Sequence, residues 1–165
     1  MIKLLIASLL FVMIGITILS FTRMQYKGKR YAIQNIQTGK NIRPYAAGKQ
    51  DGNRLILYNS YRWKCMTWDL KETGENTYQL QNRYTEKTFQ VDAKLNGKLN
   101  QIQLDDNSQE WEFIKQAENT YLIKQKETNL YISISSEETN SDIVLKPLNN
   151  TKEQLWRLVK QNPLL

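Results

Sequence analysis

The sequence predicts an all-β domain made of three consecutive copies of one four-stranded unit. Past residue 30 the apolar residues fall in short runs such as YAIQNI, RLILYN, YQLQN, TFQVDA, YLIKQ, LYISIS and DIVLKPL, separated by Gly, Asn, Asp, Ser and Thr. That is strand periodicity with turn chemistry between the runs, and no stretch there sustains a helical period. Trp68, Trp111 and Trp156 stand 43 and 45 residues apart, in the runs MTWDL, QEWEF and QLWRL. Tyr31, Tyr78 and Tyr121 open strand-like runs 47 and 43 residues apart, and Trp68 to Tyr78 and Trp111 to Tyr121 are both steps of ten. Two markers locked in phase define a repeat.

The chain opens on Leu4 to Phe21, eighteen residues without a charge, preceded by Lys3 and followed by Arg23, Lys27, Lys29 and Arg30. Secretory apolar cores run to about 15 residues and a bilayer span needs about 20, so the segment lies nearer a retained anchor than a cleaved signal. We read residues 1–22 as a signal peptide or transmembrane anchor and 23–30 as a basic linker. The basic flank after the apolar run favours a cytoplasmic domain. A short N-terminal tail before a single apolar run favours delivery across the membrane, and an extracytoplasmic domain, secreted or membrane-anchored, is expected. The only cysteine, Cys65, cannot form an intrachain disulfide and is expected as a buried free thiol.

Residues 31–162 form the predicted domain, with units at about 31–70, 78–113 and 121–158. Each unit runs through an opening Tyr strand, a turn, a second short strand, a loop, an aliphatic strand (LILY, IQL or IVL) and a Trp strand, which gives twelve strands. Propellers need about four or more blades. Three units fit a β-trefoil, a six-stranded barrel closed by three hairpins, with an immunoglobulin-like sandwich as the fallback. Gln and Trp two apart in Gln109-Glu110-Trp111 and Gln154-Leu155-Trp156 point to one strand face. This places Trp68, Trp111 and Trp156 in the core, with the neighbouring amides satisfying backbone where the strand leaves the barrel.

YAIQNIQTGKNI at the start of the first unit and NNTKEQLWRL at the end of the third resemble the repeat ends of the ricin-type β-trefoil lectins. The resemblance covers about residues 30–160 and implies a divergent member of that family that binds carbohydrate without catalysis. In such repeats an Asp after the first turn accepts sugar hydroxyls, an aromatic ring stacks on the sugar, and an Asn or Gln near Gln-x-Trp completes the pocket. An offset of twelve from the three tyrosines reaches Arg43, Gln90 and Ser133, so the Asp is absent from all three units. The first unit has Tyr58 at the stacking position and Met66 in place of Gln. The second has Gln103, Asn107 and Gln109, with Asp92 two residues past Gln90, but Asp105 at its stacking position. The third keeps Gln154 and has Lys146 as its stacking residue. The resemblance therefore implies carbohydrate or glycoconjugate binding through Asp92, Gln103, Asn107 and Gln109 of the second unit, with Tyr58 as a platform in the first.

The sequence has no histidine, which removes Ser-His-Asp and Cys-His catalysis and the commonest metal ligand. A single cysteine makes structural zinc implausible, and no Gly-rich phosphate loop is present. No enzyme, metal or cofactor is expected. The formal charge of +7 favours anionic lipid, nucleic acid or acidic polysaccharide without choosing among them; nucleic acid is not an expected partner. Basic and aromatic residues alternate in YNSYRWKCMTW, where Tyr61 and Trp63 are candidate exposed contacts for a sugar or a protein. A protein-interaction module whose sugar pockets have degenerated is the alternative function.

Overall fold

Turn residues that tolerate a left-handed backbone divide the chain. The tetrapeptide Glu-Asn-Thr-Tyr stands at 75–78 and again at 118–121, and Asn76 and Asn119 have φ of 52° and 48°. Asn adopts this region readily, so each pair reverses the chain between one unit's last strand and the next unit's first. The computed structural model describes residues 29–91, 97–106 and 108–164. The apolar segment Leu4 to Phe21 and the linker through Gly28 lie outside them. No helix among the described residues is long and apolar enough to cross a membrane.

The first unit contains β1 (Lys29–Asn35), β2 (Asn41–Pro44), β3 (Leu55–Tyr58) and β4 (Trp68–Gly74). The second contains β5 (Thr77–Asn82), β6 (Lys87–Val91), β7 (Leu99–Gln103) and β8 (Trp111–Ala117). The third contains β9 (Thr120–Gln125), β10 (Leu130–Ile134), β11 (Ile143–Pro147) and β12 (Trp156–Lys160). All pairing between these strands is antiparallel, and β1, β4, β5, β8, β9 and β12 pair in a closed ring. Hairpins β2–β3, β6–β7 and β10–β11 complete the three units. This is the all-β trefoil of twelve strands that the sequence predicts.

The ring register explains why Tyr and Trp keep phase. Each opening Tyr sits opposite the Trp of its own unit: Tyr31 opposite Trp68, Tyr78 opposite Trp111 and Tyr121 opposite Trp156. Each Trp also sits opposite an amide of the next unit, Trp68 with Asn82, Trp111 with Gln125 and, closing the ring, Trp156 with Asn35. These amides fasten one unit's end to the next unit's beginning. Asn35 Nδ2 donates to Glu153 O at 3.1 Å while Asn35 Oδ1 accepts from the Gln37 and Thr38 amides at 3.2 Å. Asn82 Nδ2 donates to Cys65 O at 2.9 Å and Oδ1 accepts from the Tyr84 and Thr85 amides at 3.1 Å. Gln125 Nε2 donates to Gln109 Oε1 at 2.8 Å.

All three indoles are fully buried, in a cluster with Ile33, Leu57, Leu80, Phe89, Ile123 and Ile132 among others. Trp68 Nε1 donates to Ile42 O at 3.2 Å and Trp156 Nε1 to Ile132 O at 2.9 Å. Trp111 Nε1 is buried without an acceptor. The place of Ile42 and Ile132 is taken in the second unit by Phe89, whose ring lies 4.8 Å from that of Trp111. The amide of Gln154 is also structural: fully buried, it donates from Nε2 to Pro147 O at 2.9 Å and accepts from the Asn149 amide at 2.9 Å.

The hairpin register corrects one assignment. Tyr58 lies opposite Asn41, Lys146 opposite Tyr131 and Ile102 opposite Thr88, so Ile102 and not Asp105 holds the stacking position of the second unit. Most of the shortening of that unit falls between β6 and β7, so the Tyr31-to-Tyr58 step, repeated from Tyr78, overshoots the strand to Asp105. The same register puts Gln101 opposite Phe89, where Leu57 and Leu145 stand in the other units.

Candidate functional site

Strand alternation decides what each hairpin shows outward. In β2–β3, Ile42, Leu55 and Leu57 belong to the core, and the period of two turns Asn41, Arg43, Ile56 and Tyr58 to the other face. The chain after β3 folds back over that face. Tyr61 and Trp63 stack with centroids 4.5 Å apart and planes 14° from parallel, and each lies 6.4 Å from Tyr58. Arg43 is under this cluster, its Cζ 4.7 Å from the Tyr58 centroid and 5.7 Å from that of Trp63. The covering segment is fixed from outside, because Arg62 Nη2 donates to Asn162 O at 2.9 Å and the Leu164 amide donates to Arg62 O at 3.0 Å. Tyr61 nevertheless keeps 45% of its surface exposed.

Beside Trp63 opens an apolar slot of about 160 Å³ lined by Ala47, Trp63, Lys64, Cys65 and Tyr84. That is room for about five water molecules. Tyr84 is exposed, with Lys49 Nζ 4.4 Å from its ring centroid. Cys65 is a free, buried thiol, pushed up by desolvation against the pull of the Arg43 charge. Below the aromatic cluster, Asn41 Nδ2 donates to Ser60 Oγ at 3.1 Å, while Asn41 Oδ1 is buried without a donor.

The second unit's face differs. Gln103 is exposed at the end of β7, where its Oε1 accepts from Lys87 Nζ at 3.4 Å, and Lys87 also pairs with Asp51 of the first unit at 2.6 Å. Gln109 turns the other way, to Gln125 of the third unit and to Glu110 O at 3.1 Å. The two amides thus engage different neighbours, and Gln109, through Gln125, serves the junction between the second and third units as Asn82 and Asn35 serve the other two. Asp92 and Asn107 lie outside the described residues. Around Gln109 a polar cleft of about 330 Å³ is lined by Asp106, Ser108, Glu110, Lys126 and Glu127, with no aromatic side chain. Hydrogen bonds from Lys126 and Thr73 hold the Glu110 carboxyl below its usual range. It stays ionised, which suits a hydrogen-bond acceptor and not a general acid. Among the described residues no group of three or more His, Cys, Asp or Glu is placed to hold a metal ion.

A six-stranded ring closed by three hairpins, with one Trp per unit at its centre, defines a β-trefoil. The chain belongs to the ricin-type beta-trefoil lectin domain-like family, whose profile it matches over residues 20–104. No curated protein matches the sequence. Among solved structures it is similar to the designed 3-fold symmetric protein ThreeFoil, at 19% identity and a TM-score of 0.73, over 79% of this chain and 98% of that one. It is also similar to a ricin B-like lectin of Macrolepiota procera in complex with lactose, at 19% identity and a TM-score of 0.69, over 81% of this chain and 96% of that one. An exo-beta-1,3-galactanase of Clostridium thermocellum matches at 19% identity and a TM-score of 0.73 over 80% of this chain, which spans 30% of that enzyme's length. At these identities the likeness establishes the fold.

Proposed function

We propose that the chain is a non-catalytic carbohydrate-binding module whose working face is that of the first unit. One observation carries the reading: the stacked Tyr61 and Trp63 pair, held over Tyr58 and left open to solvent on the Tyr61 side. Flat rings cover the apolar face of a pyranose, and large rigid aromatics supply contact area at low entropic cost. Membership of a lectin-like family supports carbohydrate as the ligand, as does the lactose bound by the Macrolepiota procera lectin. The second unit lacks a ring at its stacking register, and Gln109 is already committed to a junction between units. We further propose that Leu4 to Phe21 directs the chain to the membrane and that the domain works outside the cytoplasm, secreted or anchored.

A glycan array probed with the full-length chain in detergent tests the function. Signal on one or more glycans is expected, lost in Tyr61→Ala and Trp63→Ala and kept in Gln103→Ala and Gln109→Ala. Silence across the array would contradict carbohydrate binding and favour a protein partner for the same aromatic face. A reporter fused to the C terminus tests topology, and a cytoplasmic signal would overturn the extracytoplasmic placement.

A further inference from the structure

The described residues bury two side chains of formal charge, Asp69 at 2% exposure and Arg43 at 7%. Asp69 is compensated: Arg83 Nη1 meets its Oδ2 at 2.9 Å, and Arg30 Nε lies 4.0 Å from its Oδ1. Arg43 has no carboxylate in contact. Its Nε donates to Pro44 O at 3.1 Å, its flat faces meet Tyr58 and Trp63, and no described residue accepts from either terminal nitrogen. Neither terminal nitrogen is among the buried atoms that lack a partner, so the fork of this mostly buried side chain meets solvent at the edge of the aromatic cluster, where an anion can reach it.

Arg43 does not itself line the apolar slot, but its Cζ lies 5.7 Å from the ring centroid of Trp63, which does; Lys64 is also in the lining, and Lys49 lies over the Tyr84 ring. None of the slot's lining residues is acidic. This is also the position at which the resemblance calls for a sugar-binding Asp. An Asp there would accept neutral hydroxyls and repel anions, whereas an Arg donates to anions in a bidentate fork.

We infer that the first-unit face takes an acidic saccharide, a pyranose bearing a carboxylate or sulfate that pairs with Arg43 while its ring packs against the Trp63 and Tyr84 aromatics. The inference rests on the carbohydrate-binding reading above and names the class of sugar. An anionic group that pairs with the Arg43 fork binds the folded chain alone and so stabilises it.

Affinity electrophoresis of the full-length chain against polygalacturonate and its fully methyl-esterified form tests this, since the ester keeps the sugar ring and removes the charge. A parallel pair, sulfated and unsulfated galactan, separates sulfate from carboxylate as the preferred group. Wild type should favour an acidic polymer over its neutral counterpart by about tenfold or more, the scale of one charge-assisted hydrogen bond. Arg43→Met should abolish that preference and melt at or above wild type. Lys115→Gln, which removes an exposed charge on β8, should leave the preference intact. Equal binding of acidic and neutral polymers would overturn the inference while leaving carbohydrate binding standing. Binding of none of the four would bring down both. A preference that survives Arg43→Met while the melting temperature falls would make Arg43 a structural residue and overturn the assignment.

Discussion

The outer faces of the first and second hairpins share one register and carry opposite chemistry. Asn41 and Tyr58 face each other across β2–β3 as Thr88 and Ile102 do across β6–β7. Yet the first face holds a cation against two aromatic rings, Tyr58 and Trp63, while near the second Gln109 spends its amide on the third unit. The difference teaches that frame and face are separable in this fold. Residues that repeat in all three units, the Tyr, the Trp and the amide opposite it, bond inward and across junctions. The rings that mark out the first face, Tyr58, Tyr61 and Trp63, are not part of that recurring set.

That separation has measurable consequences, the largest at the frame. Trp156→Ala removes a fully buried indole and is expected to cost about 3 to 5 kcal/mol by urea denaturation. Trp→Phe variants sharpen the point. Trp111→Phe should cost about 1 kcal/mol less than Trp68→Phe or Trp156→Phe, because the Trp111 N–H has no acceptor to lose. Equal losses would mean that Trp111 has an acceptor after all.

Next comes Gln154→Ala, which strips partners from the Asn149 amide and Pro147 O and should cost about 1 to 3 kcal/mol. Gln109→Ala, at the corresponding place in the second unit, removes a side chain that is itself only half-buried, where Gln154 is fully buried, and should cost less than about 1 kcal/mol. If the two melted alike, the distinction between a buried and a half-exposed Gln-x-Trp amide would fail.

Asp142 ties the three hairpins together, binding Arg54 of the first unit and Lys98 of the second at 2.7 Å each from the third. Burial pushes its carboxyl up, and the hydrogen bonds and charges of Lys98 and Arg54 outweigh that push, leaving it below the usual carboxylate range. A depressed carboxylate stabilises the fold above its unfolded pKa and loses that contribution as pH falls through the folded one. Asp142→Asn should therefore cost about 1 kcal/mol at neutral pH, given its half-exposed partners, and progressively less in acid. A cost independent of pH would remove the ion pairs from the account.

The smallest effect concerns a departure from symmetry inside the frame. Gly39 turns at φ 67° after β1, and Glu86 occupies the matching turn at φ 62°. Glu86→Gly relieves the left-handed strain at some cost in chain entropy, so a gain of a few tenths of a kcal/mol is expected in thermal melts. A loss would show that the Glu86 side chain contributes more than its backbone costs.

The frame was legible in the sequence because its residues recur at fixed intervals. The spacing of Tyr31, Tyr78 and Tyr121 and of Trp68, Trp111 and Trp156 alone sets unit number and strand order. The recurring Glu-Asn-Thr-Tyr would have fixed the junctions more sharply still. The face was less legible, because it depends on which strand residues oppose each other, and loop shortening hides that. Counting from Tyr78 reaches Asp105 where the register selects Ile102. Arg43 reads in sequence only as a missing Asp; its burial under Tyr58 and Trp63, which gives it meaning, comes from the segment after β3 folding back.

Amide chemical shifts of the isotopically labelled full-length chain, recorded while an acidic oligosaccharide is titrated in, test the central claim most directly. The account predicts saturable shifts concentrated at Arg43 and Tyr58 to Cys65, with Tyr84 moving alongside and Ser108 to Trp111 and Gln125 to Glu127 still. Shifts confined to the second group, with Tyr61 and Trp63 unmoved, would return the binding face to the second unit and contradict it.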